Sequence, residues 1–131
     1  MYTLLRIEGD RASLEHYQQE FAARCGEARA ALTRRGDLTV DLSNEDSWDE
    51  HQWQVENLLG KVAPLIESVR KDGCSVYVDC GVYVPSPSGS ATSVVVRTYR
   101  HRSSLIEQLA RLGLDYEITV YVEPPPDPST S

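Results

Sequence analysis

The chain has no apolar run approaching the roughly 20 residues needed to cross a bilayer, so no membrane-spanning helix is expected. Cysteine is scarce. Cys25, Cys74 and Cys80 make an odd number at no metal-like spacing, and Cys74 and Cys80 alternate with valines as core residues do, so all three are expected to be reduced. Basic residues are in deficit, with 13 Lys and Arg against 20 Asp and Glu. The resulting net charge of −7 repels phosphate backbones and anionic lipids alike, because both are bound by clustered Lys and Arg; nucleic acid and membranes are therefore not expected partners. The opening "MYTLLRIEGD" has no basic stretch ahead of a long apolar one, so no secretory signal is expected and the cytoplasm is the expected compartment.

Signatures of catalysis are missing too. A calcium loop starting at Asp41 finds oxygen ligands at Ser43 and Glu45, but its sixth residue is Asp46 where glycine is needed and its twelfth is Gln52 where glutamate is needed. "DEHQW" lacks the second histidine that a helical zinc motif carries four residues on. His16, His51 and His101 fall on or beside three different expected helices and read as surface or capping residues. There is no P-loop and no serine in a nucleophile elbow. Cys25 paired with His16 or His101 is a construction that any chain with three of each permits. The expectation is a non-enzymatic protein with no catalytic residues, no metal and no cofactor.

What the chain does contain is the makings of one folded domain. Its 131 residues, 40% hydrophobic and 25% charged, are enough to bury a core without metal or disulfide support. "TLLRIEG" predicts a short strand with Leu5 and Ile7 on one side. A helix follows, capped by Asp10 or Ser13, with Leu14, Tyr17, Phe21 and Cys25 at helical spacing and Gly26 at its end. Residues 27–43 predict a helical remnant, a turn at "RRGD" and a strand "LTVDL". Ser47 to Glu50 form a capping box in front of a long helix whose stripe is Val55, Leu58, Leu59, Val62, Leu65, Ile66 and Val69. Pro64 is expected to kink that helix or divide it near Lys61.

"CSVYVDCGVYV" then alternates strictly, with Cys74, Val76, Val78, Cys80, Val82 and Val84 on one side and Tyr77, Asp79, Gly81 and Tyr83 on the other. "PSPSGS" and "TSVVVRTY" predict a turn and a returning antiparallel strand. A last helix, capped by Ser103 or Ser104 with Glu107, is expected to bury Leu105, Ile106, Leu109 and Leu112. A final strand is expected to turn Tyr116, Ile118, Val120 and Val122 inward. The predicted class is α+β, a single antiparallel or mixed sheet with helices on one face, in the ferredoxin-like-related order β-α-β-α-β-β-α-β. Residues 1–123 form one domain and 124–131 a proline-rich disordered tail.

Two surfaces are candidates for function. From Asp37 to Glu56 there are seven carboxylates and no Lys or Arg, just after the basic residues Arg24, Arg29, Arg34 and Arg35. With Ser47 and Glu50 occupied in starting the helix, Asp41, Glu45, Asp46, Trp48, Asp49 and Trp53 are expected to dock a basic protein partner. A solvated acidic face kept for solubility accounts for the same residues. The alternative is a small-molecule-binding or enzymatic domain that uses the open sheet face, with Tyr77, Asp79, Tyr83 and Tyr121 as contacts. A homodimer formed through edge strands or tyrosine faces is a third expectation.

The run from "SWDEHQWQVENLLGKVAPLIESVRKDG" through "CSVYVDCGVYV" to "HRSSLIEQLARLGLDYEITVYVE" resembles the bacterial family catalogued only as domain of unknown function 4279. Trp48 and Trp53 ahead of the long helix are its most distinctive part, and residues 28–41 depart from its pattern. The resemblance extends to about Glu123 and implies no catalytic residues. In size and charge the chain is also similar to immunity proteins, inhibitors that neutralise a cognate bacterial toxin.

Overall fold

The computed structural model describes residues 1–85 and 98–124. Its elements are β1 (Tyr2–Glu8), α1 (Arg11–Cys25), a 3-10 turn (Glu27–Arg29), β2 (Ala30–Leu32), β3 (Leu38–Ser43), α2 (Trp48–Lys71), β4 (Ser75–Val84), α3 (Ser103–Leu112) and β5 (Asp115–Val122). The strands form one mixed sheet in the order β2-β3-β1-β4-β5. β1 lies between β3 and β4, antiparallel to both, and β5 runs parallel to β4. A parallel neighbour needs a long crossover, and α3 lies within it. The class is α+β as expected.

One face of the sheet carries the core. Leu5, Ile7, Leu38, Val40, Val76 and Val78 meet Leu14 and Phe21 of α1, Leu59, Val62 and Ile66 of α2, and Leu105 and Leu109 of α3, all of them buried. Each such side chain removed from water contributes about 1.5–3 kcal/mol, so this layer holds the helices to the sheet.

The local signals were met unevenly. Asp10 caps α1 by accepting the Ser13 amide at 3.0 Å, and Gly26 ends the helix at φ 109°. Ser47 occupies the N-cap position of α2, yet its side chain makes no capping bond, so the expected capping box is not formed. α3 starts after Arg102, one residue before the expected serines. Its second expected box also fails, because the Ser104 hydroxyl donates to Glu56 on α2. α2 runs undivided through Pro64, held along its length by the buried stripe from Val55 to Val69.

The stretch of weak signal after α1 holds two strands rather than one. Ala30–Leu32 pairs with Leu38–Val40 across a tight loop in which Thr33 N–H donates to Asp37 O at 2.9 Å and Gly36 adopts φ 91°. β5 departs further from expectation. Its even-numbered side chains do share the face of the β4 valines, but Ile118, Val120 and Val122 are 50–62% exposed and Ile106 of α3 is 55% exposed. α3, ten residues and so roughly 15 Å long, reaches along β5 only to its start, where Tyr116 is half-buried and Leu114, just ahead of the strand, is buried. The expected turn and returning strand fall, apart from Pro85, Thr98 and Tyr99, outside the described residues, and so does the tail beyond Pro124. No helix among the described residues is long and apolar enough to cross a membrane.

Candidate functional site: the uncovered sheet face

Among the described residues no helix packs on the second face of the sheet, where alternation places Tyr2, Leu4 and Arg6 of β1, Tyr77, Asp79, Gly81 and Tyr83 of β4, and Asp115, Glu117, Thr119 and Tyr121 of β5. The antiparallel register sets Arg6 opposite Tyr77 and Leu4 opposite Asp79, so the guanidinium lies diagonally beside the Asp79 carboxylate. Arg6 Nε donates to Asp79 Oδ2 at 2.7 Å and Arg6 Nη1 donates to Asp37 Oδ2 at 3.0 Å. Asp37 also accepts the Thr33 hydroxyl across the β2–β3 loop. The bond to Asp79, then that to Asp37, hold Arg6 firmly protonated against the opposing effect of burial. Burial pushes the Asp37 carboxyl up, and the bonds from Thr33 and Arg6 outweigh it, leaving its pKa below the usual value.

Asp79 is only 6% exposed, and its second oxygen, Oδ1, is buried with no hydrogen-bond partner among the described residues. Arg6, Asp37, Tyr77, Asp79, Glu117 and Tyr121 line a groove of about 460 Å³, to which Glu8 and Arg35 also contribute. Four carboxylates thus face two guanidiniums. Beside the groove three tyrosines form a cluster: Tyr83 stacks on Tyr121 with ring centroids 5.0 Å apart, and the Tyr2 and Tyr121 hydroxyls are 3.0 Å apart. Gly81 makes room for this cluster, since a Cβ there would collide with the Tyr2 ring. Burial, the bond to Tyr121 and the charge of Asp79 all raise the Tyr2 phenol pKa, so it stays protonated at neutral pH.

Three of the four residues expected on this face, Tyr77, Asp79 and Tyr121, line the groove, and Tyr83 stands beside it. Sequence reasoning missed Arg6, Tyr2, Asp37 as a groove residue, and Glu117. Two signals pointed to them. Arg6 is the one cation on an otherwise apolar strand core, and a glycine inside a strand marks a close approach by another group, here the ring of Tyr2.

The residues expected to dock a partner at the start of α2 differ in their surroundings, and of the six only Glu45 and Trp53 line a common hollow among the described residues. Asp41 lies on β3, half-buried, its carboxyl pKa raised by burial against the pull of Arg29. Glu45, Asp46 and Asp49 are exposed. Trp48 is engaged by its own chain: its indole N–H donates to Arg100 O at 2.8 Å, its ring stacks on His51, and Tyr99 and His101 meet it edge-on. Trp53 is 61% exposed and borders a hollow of about 260 Å³ with Glu45, Glu50 and Gln54.

His51, expected at the surface, is buried instead. Its Nε2 lies 2.6 Å from Thr3 Oγ1 in a hydrogen bond, and burial drives its pKa down to about 4 against a smaller upward pull from the Glu45 backbone. Gln52 beside it clamps the chain entering α3, donating to Arg100 O at 3.0 Å and accepting Arg102 N–H at 2.8 Å. The overlooked signal was the helical stripe itself, since His51 stands four residues ahead of Val55 on the face that continues to Leu59 and Val62.

His101 is half-buried and bonded to the Tyr116 hydroxyl at 2.9 Å, while His16 is exposed. The cysteines are free, with Cys74 and Cys80 buried and Cys25 half-buried. Among the described residues no group of three or more His, Cys, Asp and Glu is placed to hold a metal ion. No family model, curated protein or solved structure matches the chain, so the family resemblance stands as an expectation and function is argued from geometry.

Proposed function

We propose that the chain is a non-enzymatic binding domain that receives a basic partner protein on the uncovered face of its sheet. The observation that supports this reading best is the Asp79 carboxylate, buried in a groove of net negative charge with one oxygen unpartnered. Small-molecule sites are mostly apolar and enclosing. This groove is lined by charged and phenolic groups, some of its walls (Glu8, Arg35, Glu117) are exposed, and it continues into Tyr83 and Tyr121, which are 48% and 41% exposed. Exposed tyrosines beside a charged groove suit a protein surface, because they offer contact area at little entropic cost. The net charge of −7 steers a basic partner toward them. An immunity-type inhibitor of a cationic toxin is one member of this class.

Paired charge reversals test the location. The partner recovered on the immobilised protein from its native host is challenged with Asp115→Lys/Glu117→Lys and, separately, Glu45→Lys/Asp46→Lys. All four residues are exposed, so the fold tolerates both changes. The first pair is expected to release the partner and the second to retain it. The opposite result moves docking to the start of α2, and retention by both removes electrostatic docking on either surface.

The alternative of a small-molecule ligand at Tyr77, Asp79, Tyr83 and Tyr121 draws on the same groove. A thermal-shift screen in which cationic metabolites raise the melting temperature, while the partner is indifferent to the reversals, would favour it.

A further inference from the structure

We infer that the groove recognises a primary ammonium, the side-chain tip of a lysine on the partner, through Asp79 Oδ1. This rests on the uncovered face being the docking surface and specifies what that surface reads.

The first ground is an unmade bond. Asp79 Oδ1 is buried without a donor, and a buried acceptor left so costs about 1–3 kcal/mol, more when charged. That oxygen is closed to solvent as it stands, so a ligand N–H recovers the cost when the groove side chains shift to admit it. The second ground is charge balance. Arg6 serves two carboxylates, Asp37 and Asp79, both largely buried, so the trio carries one negative charge in excess. One monovalent cation neutralises it, whereas a second carboxylate or a neutral donor does not.

The third ground distinguishes lysine from arginine. Asp79 Oδ2 is already taken by Arg6 Nε at 2.7 Å, which leaves a single oxygen free. A guanidinium gains most from two parallel bonds to both oxygens of a carboxylate, and that fork cannot form here. An ammonium is a point donor and needs only one acceptor. Its remaining N–H groups have Glu117 and the Tyr77 and Tyr121 phenols lining the same groove, and the phenol rings attract a cation through their faces. The methylene stem of a lysine can lie along the exposed Tyr83–Tyr121 stack.

The experiment titrates the full, ¹⁵N-labelled chain at low salt with an oligolysine, an oligoarginine of equal length, and the same oligolysine acetylated on its side chains. Amide shifts are followed by NMR. The expected result is movement of the Tyr77, Asp79, Gly81 and Glu117 amides with oligolysine, binding about tenfold tighter than oligoarginine, the worth of one charge-assisted bond, and no binding of the acetylated peptide. Asp79→Asn should abolish the preference for lysine, while Glu117→Gln should weaken both peptides alike. Should Asp79→Asn lose its dispersed spectrum, the lysine-to-arginine ratio of the unaltered protein still decides the matter. Groove shifts with equal or tighter oligoarginine binding overturn the ammonium inference and leave the docking surface standing. Shifts confined to Glu45, Asp46 and Trp53, or no shifts at all, overturn the docking surface and this inference with it.

Discussion

The two acidic regions of this molecule are built in opposite ways. At the start of α2, Glu45, Asp46 and Asp49 are near neighbours in the chain and all stand in solvent. On the uncovered sheet face, Asp37, Asp79 and Glu117 come from the β2–β3 loop, β4 and β5, and two of them are buried against Arg6. The density of acid along the sequence is thus a poor guide to where charge acts. Carboxylates surrounded by water are screened and individually weak, whereas a carboxylate removed from water must be answered by a partner.

Removing Arg6 should break this contrast most severely. Arg6→Met leaves two buried like charges without a cation and is expected to cost about 3 kcal/mol in urea unfolding at neutral pH, the low end for a broken buried pair because Arg6 itself is partly exposed. The deficit should shrink in acid, as the Asp37 carboxylate takes up its proton. A cost below about 1 kcal/mol would mean that the network is as solvated as the mouth of α2.

Beneath that mouth, His51 supplies the next largest effect. Its folded-state pKa of about 4 lies below the unfolded value of 6.5, so the unfolded chain takes up the proton first. Stability is therefore whole above pH 6.5 and falls as the pH drops toward 4, by roughly 3 kcal/mol at most. His51→Gln should flatten that slope in pH-dependent unfolding. Asp37, whose pKa is lowered, adds a separate loss at lower pH, as its carboxylate is protonated.

Gly81→Ala is a smaller probe of the uncovered face. The added methyl displaces the Tyr2 ring, whose far end can swing away, at about 1 kcal/mol. Ultraviolet titration should then show the Tyr2 phenol returning toward its ordinary range, because its bond to Tyr121 is lost. The smallest effect concerns the two helix starts. Asp10→Ala should lower the melting temperature by removing a bond that α1 makes, whereas Ser47→Ala, where no such bond exists, should change stability by no more than a few tenths of a kcal/mol.

Much of the fold was legible in local pattern. The alternation from Cys74 to Val84 assigned every side of β4, and the spacing of Leu14, Tyr17 and Phe21 marked the buried face of α1. The two strands at Ala30 and Leu38 were harder to separate, because β2 is three residues long and shows too little alternation to distinguish it from a frayed helix. The inward reading of Ile118, Val120 and Val122 failed for a different reason. Alternation reports which residues share a face and is silent about how far a covering helix extends.

The sequence by itself determined the class of the molecule, the sides of its strands and the tyrosines that stand on one of them, because these follow from periods of 2 and 3.6 residues written into the chain. Only the tertiary structure decided that Arg6 would be shared between Asp37 and Asp79, that Asp79 would keep one oxygen free, and that His51 would lie in the interior rather than at the surface. Each of those outcomes depends on strand order, register and desolvation between residues far apart in the chain. A charge in the sequence has no dielectric environment until the elements around it have packed.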